Sequence, residues 1–169
     1  NGKAVRDVTR VGYYLAKEPP KHEMRLQFLY DPSLRVPAGA KAHTESVEHT
    51  FRKNVLLYSA QPHAHLRGRA AKFTAFFPDG REEVLLSVPK YDFNWQTVYL
   101  FQEPKILPAG TRIKFDMTWD NSAQNPANPD PTKDVRWGDQ TWDEMNTGFL
   151  RYRDLQPGES ATAMIEENK

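Results

Sequence analysis

"TRIKFDMTW", residues 111–119, alternates without a break. Ile113, Phe115, Met117 and Trp119 are large and apolar, and the residues between them are polar. A period of two is the mark of a strand that buries one face and wets the other. The same chemistry recurs in short blocks along the chain, rich in β-branched and aromatic residues. Further strands are expected at 10–16 (RVGYYLA), 24–30, 42–52, 54–60, 63–77, 82–88, 96–101 and 146–152. The 13 prolines and 9 glycines are scattered between these blocks and supply the turns. "PDG" at 78–80 reads as a hairpin turn, and "PAG" at 37–39 and 108–110 each leads into a strand. The fold class is therefore all-β: an antiparallel β-sandwich, a jelly roll of about eight or nine strands. It is expected over residues 1–155, with 156–169 as a polar tail or short helix.

Composition narrows function by exclusion. With 23 Lys+Arg against 22 Asp+Glu in 169 residues, the chain offers no strong field for nucleic acid or an anionic membrane. Arg67, Arg69 and Lys72 form a small basic cluster, read as solvated or locally paired. No apolar run approaches the ~20 residues of a membrane-spanning helix. The start lacks a Met and a signal-like segment, as expected of a processed chain or an excised domain. Cysteine is absent, which excludes disulfides and thiolate ligands. "DNSAQNPANPDPTKD" (120–134) is too dense in Pro and Asn for regular structure and reads as either an ordered functional loop or a mobile one.

The chemistry is concentrated in "QPHAHLRG" (61–68). On a strand, His63 and His65 would share a face, close enough for both imidazoles to reach one metal ion. Two histidines alone are an incomplete site, and H-x-H is also a common accident of strands. His22, His43 and His49 read as structural or exposed. "WGDQTWDEMNTGFLRY" (137–152) places Met145 at the entrance to a strand. A Met there is either core filler or a soft thioether ligand, suited to Cu(I) and poorly suited to zinc or magnesium. Tyr91, Trp95 and Gln96 in "YDFNWQ" either line a substrate cleft or form a corner of the core.

These stretches together resemble the copper type II, ascorbate-dependent monooxygenases, the family of the peptidylglycine α-hydroxylating and dopamine β-monooxygenases. The likeness is to their C-terminal catalytic domain, with its H-x-H and a "DEM" roughly eighty residues later. It runs from about Val11 to Tyr152 and includes "VPAG" (36–39), the spacing from His49 to His63, and "WGDQTWDEM". "PHAHLRG", "YDFNWQ", "LPAGT" and "DNSAQNPANPDP" are more similar to a bacterial branch whose members are often fused to cytochrome c or thioredoxin-like modules. The resemblance implies one copper ion, cycling between Cu(I) and Cu(II), held by His63, His65 and Met145. Asp143 and Glu144 then stand behind the ligands or are merely structural. It implies O2 and an unknown small molecule as reactants, with hydroxylation of a C–H bond as the outcome. The electron donor would be ascorbate, a second copper domain or a fused cytochrome c, and the setting extracytoplasmic, periplasmic or secreted.

The departures from that family also matter. Gln61 stands where the peptidylglycine enzymes place a carboxylate-binding Arg, and Thr147 and Phe149 stand where they use Asn and Tyr. A peptidylglycine substrate is therefore not expected. The family's cysteines are missing, and the family's second-copper domain is not expected within these residues. A non-catalytic copper-binding or electron-relay module of a larger exported protein is the alternative reading. A cupin-type dioxygenase lacks its ligands here: Arg69 and Ala70 occupy the place of its Glu, and Ile113 that of its later His.

Overall fold

The computed structural model describes residues 2–159. Ten strands follow in order: β1 (Arg25–Tyr30), β2 (Arg35–Val36), β3 (His43–Thr50), β4 (Val55–His63), β5 (Gly68–Phe76), β6 (Glu82–Val88), β7 (Tyr99–Leu107), β8 (Arg112–Trp119), β9 (Val135–Arg136) and β10 (Thr147–Asp154). No helix occurs among the described residues, so none is long and apolar enough to cross a membrane. The expected tail or helix at 156–169 falls mostly outside the described residues.

The topology is one long hairpin rolled on itself. β5 pairs β6, β4 pairs β7, β3 pairs β8, β2 pairs β9 and β1 pairs β10, each antiparallel and each nested inside the next. The tip is the expected "PDG" turn. There Phe77 N–H donates to Arg81 O at 2.8 Å, and Gly80 takes the left-handed φ of 86° that a side chain resists. Rolling the hairpin adds the cross-pairs β10–β4 and β8–β5. Two four-stranded sheets result, β1-β10-β4-β7 and β3-β8-β5-β6, which is the jelly-roll order.

β8 behaves as its alternation requires. Ile113, Phe115, Met117 and Trp119 are all fully buried, and the residues between them are partly exposed. Phe115 packs on Phe73 of β5 with ring centroids 4.5 Å apart. Gly148 of β10 lies across from that pair. A Cβ there would stand 2.9 Å from Phe73 and 3.0 Å from Phe115, so the two sheets meet at this point only because the residue has no side chain.

Three expectations are corrected. Residues 10–16 form no strand: Val11, Tyr13, Tyr14 and Leu15 are exposed and pair with nothing in the sheets. Strand-forming residues need a free ladder edge to pair with, and this segment takes none. The block at 63–77 breaks into the end of β4, a turn, and β5, with Gly68 N–H donating to His65 O at 3.1 Å. His65 therefore lies beyond the strand that carries His63. The basic cluster also divides. Arg69 pairs with Asp120 and Lys72 with Asp116, but Arg67 is buried.

Replacing Gly148 with Ala should cost about 1–3 kcal/mol through overpacking against Phe73 and Phe115. Urea denaturation of the variant beside the parent measures this, and an unchanged midpoint would show that the sheets can separate locally at no cost.

Candidate metal centre and its cavity

The rolled hairpin brings the two interesting stretches together. β10 follows directly after "WDEM" and pairs with the end of β4, so Thr147 lies opposite His63 and Phe149 opposite Gln61. On the other side of β10, Tyr30 lies opposite Thr147 and Phe28 opposite Phe149. These two rows form the outer face of the first sheet, because residues opposite one another in a ladder share a face. They floor a cavity of about 430 Å³, which Trp137 and Met145 complete. His63 and Met145 thus border one space. His65 does not line it, but its ring stands 5.3 Å from that of His63, nearly perpendicular.

Each imidazole is held by its Nδ1. For His63 the partner is Gln96 Oε1. The Gln96 amide is itself oriented, since its Nε2 donates to Phe93 O at 2.9 Å. Oε1 can only accept, so Nδ1 of His63 carries the proton. For His65 the partner is the backbone carbonyl of Asp143, at 3.2 Å, and the same argument places the proton on Nδ1. Neither hydrogen bond uses Nε2, the nitrogen a neutral ring of this tautomer offers to a metal. Burial lowers the pKa of His65, and the nearby His63 adds to that, against the pull of the Asp143 and Gln140 carbonyls. The neutral ring is thus favoured.

The segment carrying His65 is clamped by a buried carboxylate. Glu144 is fully buried and accepts three N–H bonds: His65 N–H at 2.8 Å, Arg67 N–H at 2.7 Å and the Trp119 indole at 3.0 Å. Burial pushes its carboxyl up to about 7, while the two backbone donors and the Arg67 charge oppose the shift. Asp143 contributes through its main chain, its side chain turning toward the backbone N–H of Gln140. Of the two acidic neighbours of Met145, Glu144 positions the histidine segment and Asp143 orients one ring.

Several positioning residues were not visible as such in the sequence. The Tyr91 hydroxyl donates to Ala64 O at 2.7 Å and accepts from Ala64 N–H at 3.0 Å, bracing the link between the two histidines. Tyr91 is buried, so the core-corner reading holds for it, whereas Trp95 is exposed. Arg67 Nε bridges Asn121 and Asn128, and Nη1 reaches Trp142 O at 2.8 Å. Asn121 in turn donates to the carbonyls of Pro37 and Lys133, both at 2.9 Å. The 120–134 loop is thereby ordered by side-chain amides in place of a ladder. His43 pairs with Glu45 and His49 packs edge-on to Phe51, so both are structural, and neither approaches the cavity.

Among the described residues, no group of three or more His, Cys, Asp or Glu side chains is arranged to hold a metal ion. The candidate donors, two imidazoles and a thioether, fall outside that grouping. No family model and no curated protein matches the chain. Among solved structures it is similar to the VP2 subviral particle of infectious bursal disease virus, at 10% identity and a TM-score of 0.38, over 78% of this chain and 32% of that one. The Gx strain of the same virus gives 10% identity and a TM-score of 0.36, over 93% and 39%. The chain spans about a third of the length of these capsid proteins, and likeness at this level bears on neither site nor activity.

Glu144→Gln tests the clamp. The amide can accept from Trp119 and His65 but then turns an N–H toward that of Arg67, leaving a buried donor without an acceptor. The expected loss is about 1–3 kcal/mol of stability. Equal stability of the variant in chemical denaturation would mean that the three N–H groups do not depend on the charge.

Proposed function

We propose that this chain is a mononuclear copper-binding domain that activates O2 for hydroxylation of a small molecule, acting outside the cytoplasm with an external or fused electron donor. The observation that carries the reading is the pair of adjacent imidazoles, each tethered through Nδ1. Two adjacent imidazoles each meet an acceptor through Nδ1, so neither bond uses Nε2, and a thioether lies on the same cavity as the first of them. A neutral imidazole whose other nitrogen is tied by a hydrogen bond is the usual state of a metal-ligating histidine. Two nitrogens with one soft sulfur suit a copper ion in both oxidation states better than zinc, calcium or magnesium.

Copper bound there would supply one-electron redox chemistry and reactivity toward O2. The chain's own residues have separate tasks. His63 and His65 bind through Nε2, and Met145 offers sulfur that favours the reduced ion. Gln96 and the Asp143 carbonyl retain the Nδ1 protons and fix the ring planes. The aromatic walls of the cavity would hold the apolar part of a substrate beside His63. The overall reaction is R–H + O2 + 2 e⁻ + 2 H⁺ → R–OH + H2O. A single copper stores one electron, so the balance must come from a donor such as ascorbate, a second copper domain or a cytochrome c.

Copper titrations test the ligands. His63→Ala and His65→Ala should each weaken binding by roughly 100-fold or more, and Gln96→Leu by about tenfold, as loss of an orienting hydrogen bond does. Met145→His should keep Cu(II) but lower the reduction potential, because imidazole favours the oxidised ion over the reduced one. Parent-like affinity in both histidine variants would remove the assignment, and an unchanged potential in Met145→His would return Met145 to a packing role.

Supplied with copper, ascorbate and O2, the chain alone should consume oxygen and accumulate hydrogen peroxide, with little hydroxylated product. Oxygen uptake, peroxide and product measured together decide this. Product formed one-for-one with O2 by the isolated chain would show that a soluble reductant suffices and no partner domain is needed.

A further inference from the structure

The cavity beside His63 has a charged neighbour that the candidate metal centre does not use. Arg151 follows Phe149 by two residues on β10, so its side chain leaves the strand on the face that floors the cavity. It is partly buried. Among the described residues no carboxylate pairs with it, whereas the more exposed Arg35, Arg69 and Arg81 each meet an Asp or Glu. Its contact is with a neutral group: Nη1 donates to Gln61 Oε1 at 3.4 Å, a long bond. Gln61 lines the cavity, so the guanidinium is drawn to the cavity's edge. His63 stands two residues further along β4, roughly 6–7 Å at the usual rise of a strand.

The walls are largely aromatic. Phe28 and Phe149 meet edge to face at 5.0 Å between centroids, Tyr30 and Trp137 tilted at 6.0 Å. Phe28 is 49% and Tyr30 57% exposed, so the cavity is open along β1. A ligand there can lay an apolar body on the rings and keep a charged end in contact with water, without the full cost of burying that charge. A guanidinium offers two parallel N–H groups at the spacing of carboxylate oxygens, and this one has no anion within the chain.

We infer that this cavity binds a small monocarboxylate with an apolar body, the carboxylate on Arg151 beside Gln61 and the body against Phe28, Phe149 and Trp137. Calling that molecule the substrate rests on the copper reading, but its binding does not. In that reading the carbon presented to the metal lies several bonds from the carboxylate, because His63 is two strand residues beyond Gln61.

The experiment uses the metal-free chain and four probes: 3-phenylpropanoate, 3-phenylpropanamide, 3-phenylpropylamine and acetate. NMR shifts of the Trp137 indole, the Phe149 amide and the Arg151 Nε–H locate each and give its affinity. 3-Phenylpropanoate should bind about fivefold more tightly than the amide, the modest value of a partly solvated ion pair. The amine, of like charge to Arg151, should bind more weakly than the amide. Acetate, which lacks the body, should bind more weakly than 3-phenylpropanoate by about tenfold or more, the value of covering a ring. Arg151→Gln should bring the carboxylate level with the amide and leave the amide unchanged. The amide or the amine matching 3-phenylpropanoate would overturn the inference. So would acetate matching it, an Arg151→Gln chain that keeps the preference, or shifts confined to another face. The probe series and the Arg151 Nε–H shift decide the chemical class on the unaltered chain even if the variant does not fold. Because no metal is present, failure of the copper reading leaves this result standing, and the reverse holds too.

Discussion

The carboxylate of Glu144 is the contact on which the site's geometry depends. It ties three pieces of chain that are distant in sequence: the turn after β4, through the N–H groups of His65 and Arg67; the end of β8, through the Trp119 indole; and the entry to β10, on which it sits. A turn that leaves a sheet exposes N–H groups that no ladder satisfies, and inside a protein these need an acceptor. One buried carboxylate satisfies two of them and the indole besides. Placing a charge there is expensive, and a carboxyl pushed up to about 7 records that expense. In return, His65 is held in register with the residue that immediately precedes Met145.

The rolled hairpin explains why such distant pieces meet. In a nested topology, residues equally far from the tip on the two arms become neighbours. β4 and β10 are not nested partners, but rolling sets them side by side, and "HAH" comes to lie against "DEMN". Arg67 extends the junction in the other direction. Its backbone N–H serves Glu144 while its guanidinium gathers Asn121, Asn128 and the Trp142 carbonyl. The long loop after β8 and the segment before β10 are thus anchored on one side chain. That supplies order to a stretch whose prolines deny it a strand or helix.

How much of this was legible in the sequence depends on the kind of interaction. β8 is legible because its alternation is a local property that burial then enforces. The turn at 78–80 was read because proline, aspartate and glycine have local preferences. Residues 10–16 carry the same strand-forming composition and still form none, since pairing is decided by a free edge elsewhere. A shared strand face is not what brings His63 and His65 together. The rings do stand together, but through a turn clamped by Glu144 and Tyr91, not through a common strand face. Arg67 was read with its basic neighbours, because nothing in a sequence distinguishes an arginine that meets buried amides from one that meets water. Gln96 reads as a cleft or core-corner residue, and its actual contact, with His63, spans more than thirty residues.

The two histidines are held by independent means, and this bears on how the site would respond to a metal. His63 takes its orientation from Gln96 in the β6–β7 connection, and His65 from the Asp143 carbonyl ahead of β10. Neither hydrogen bond uses the Nε2 that would bind a metal, so neither must break when one arrives. The cost of ordering the two rings is met by folding, which leaves more of the metal's binding energy as affinity. Met145 is different. It lies on the cavity wall, partly exposed, and its flexible thioether is not fixed by a hydrogen bond. In the copper reading, this rigid pair of nitrogens beside an adaptable sulfur would define where the ion sits. If copper binds as proposed, Met145 would be the ligand free to adjust between the two oxidation states.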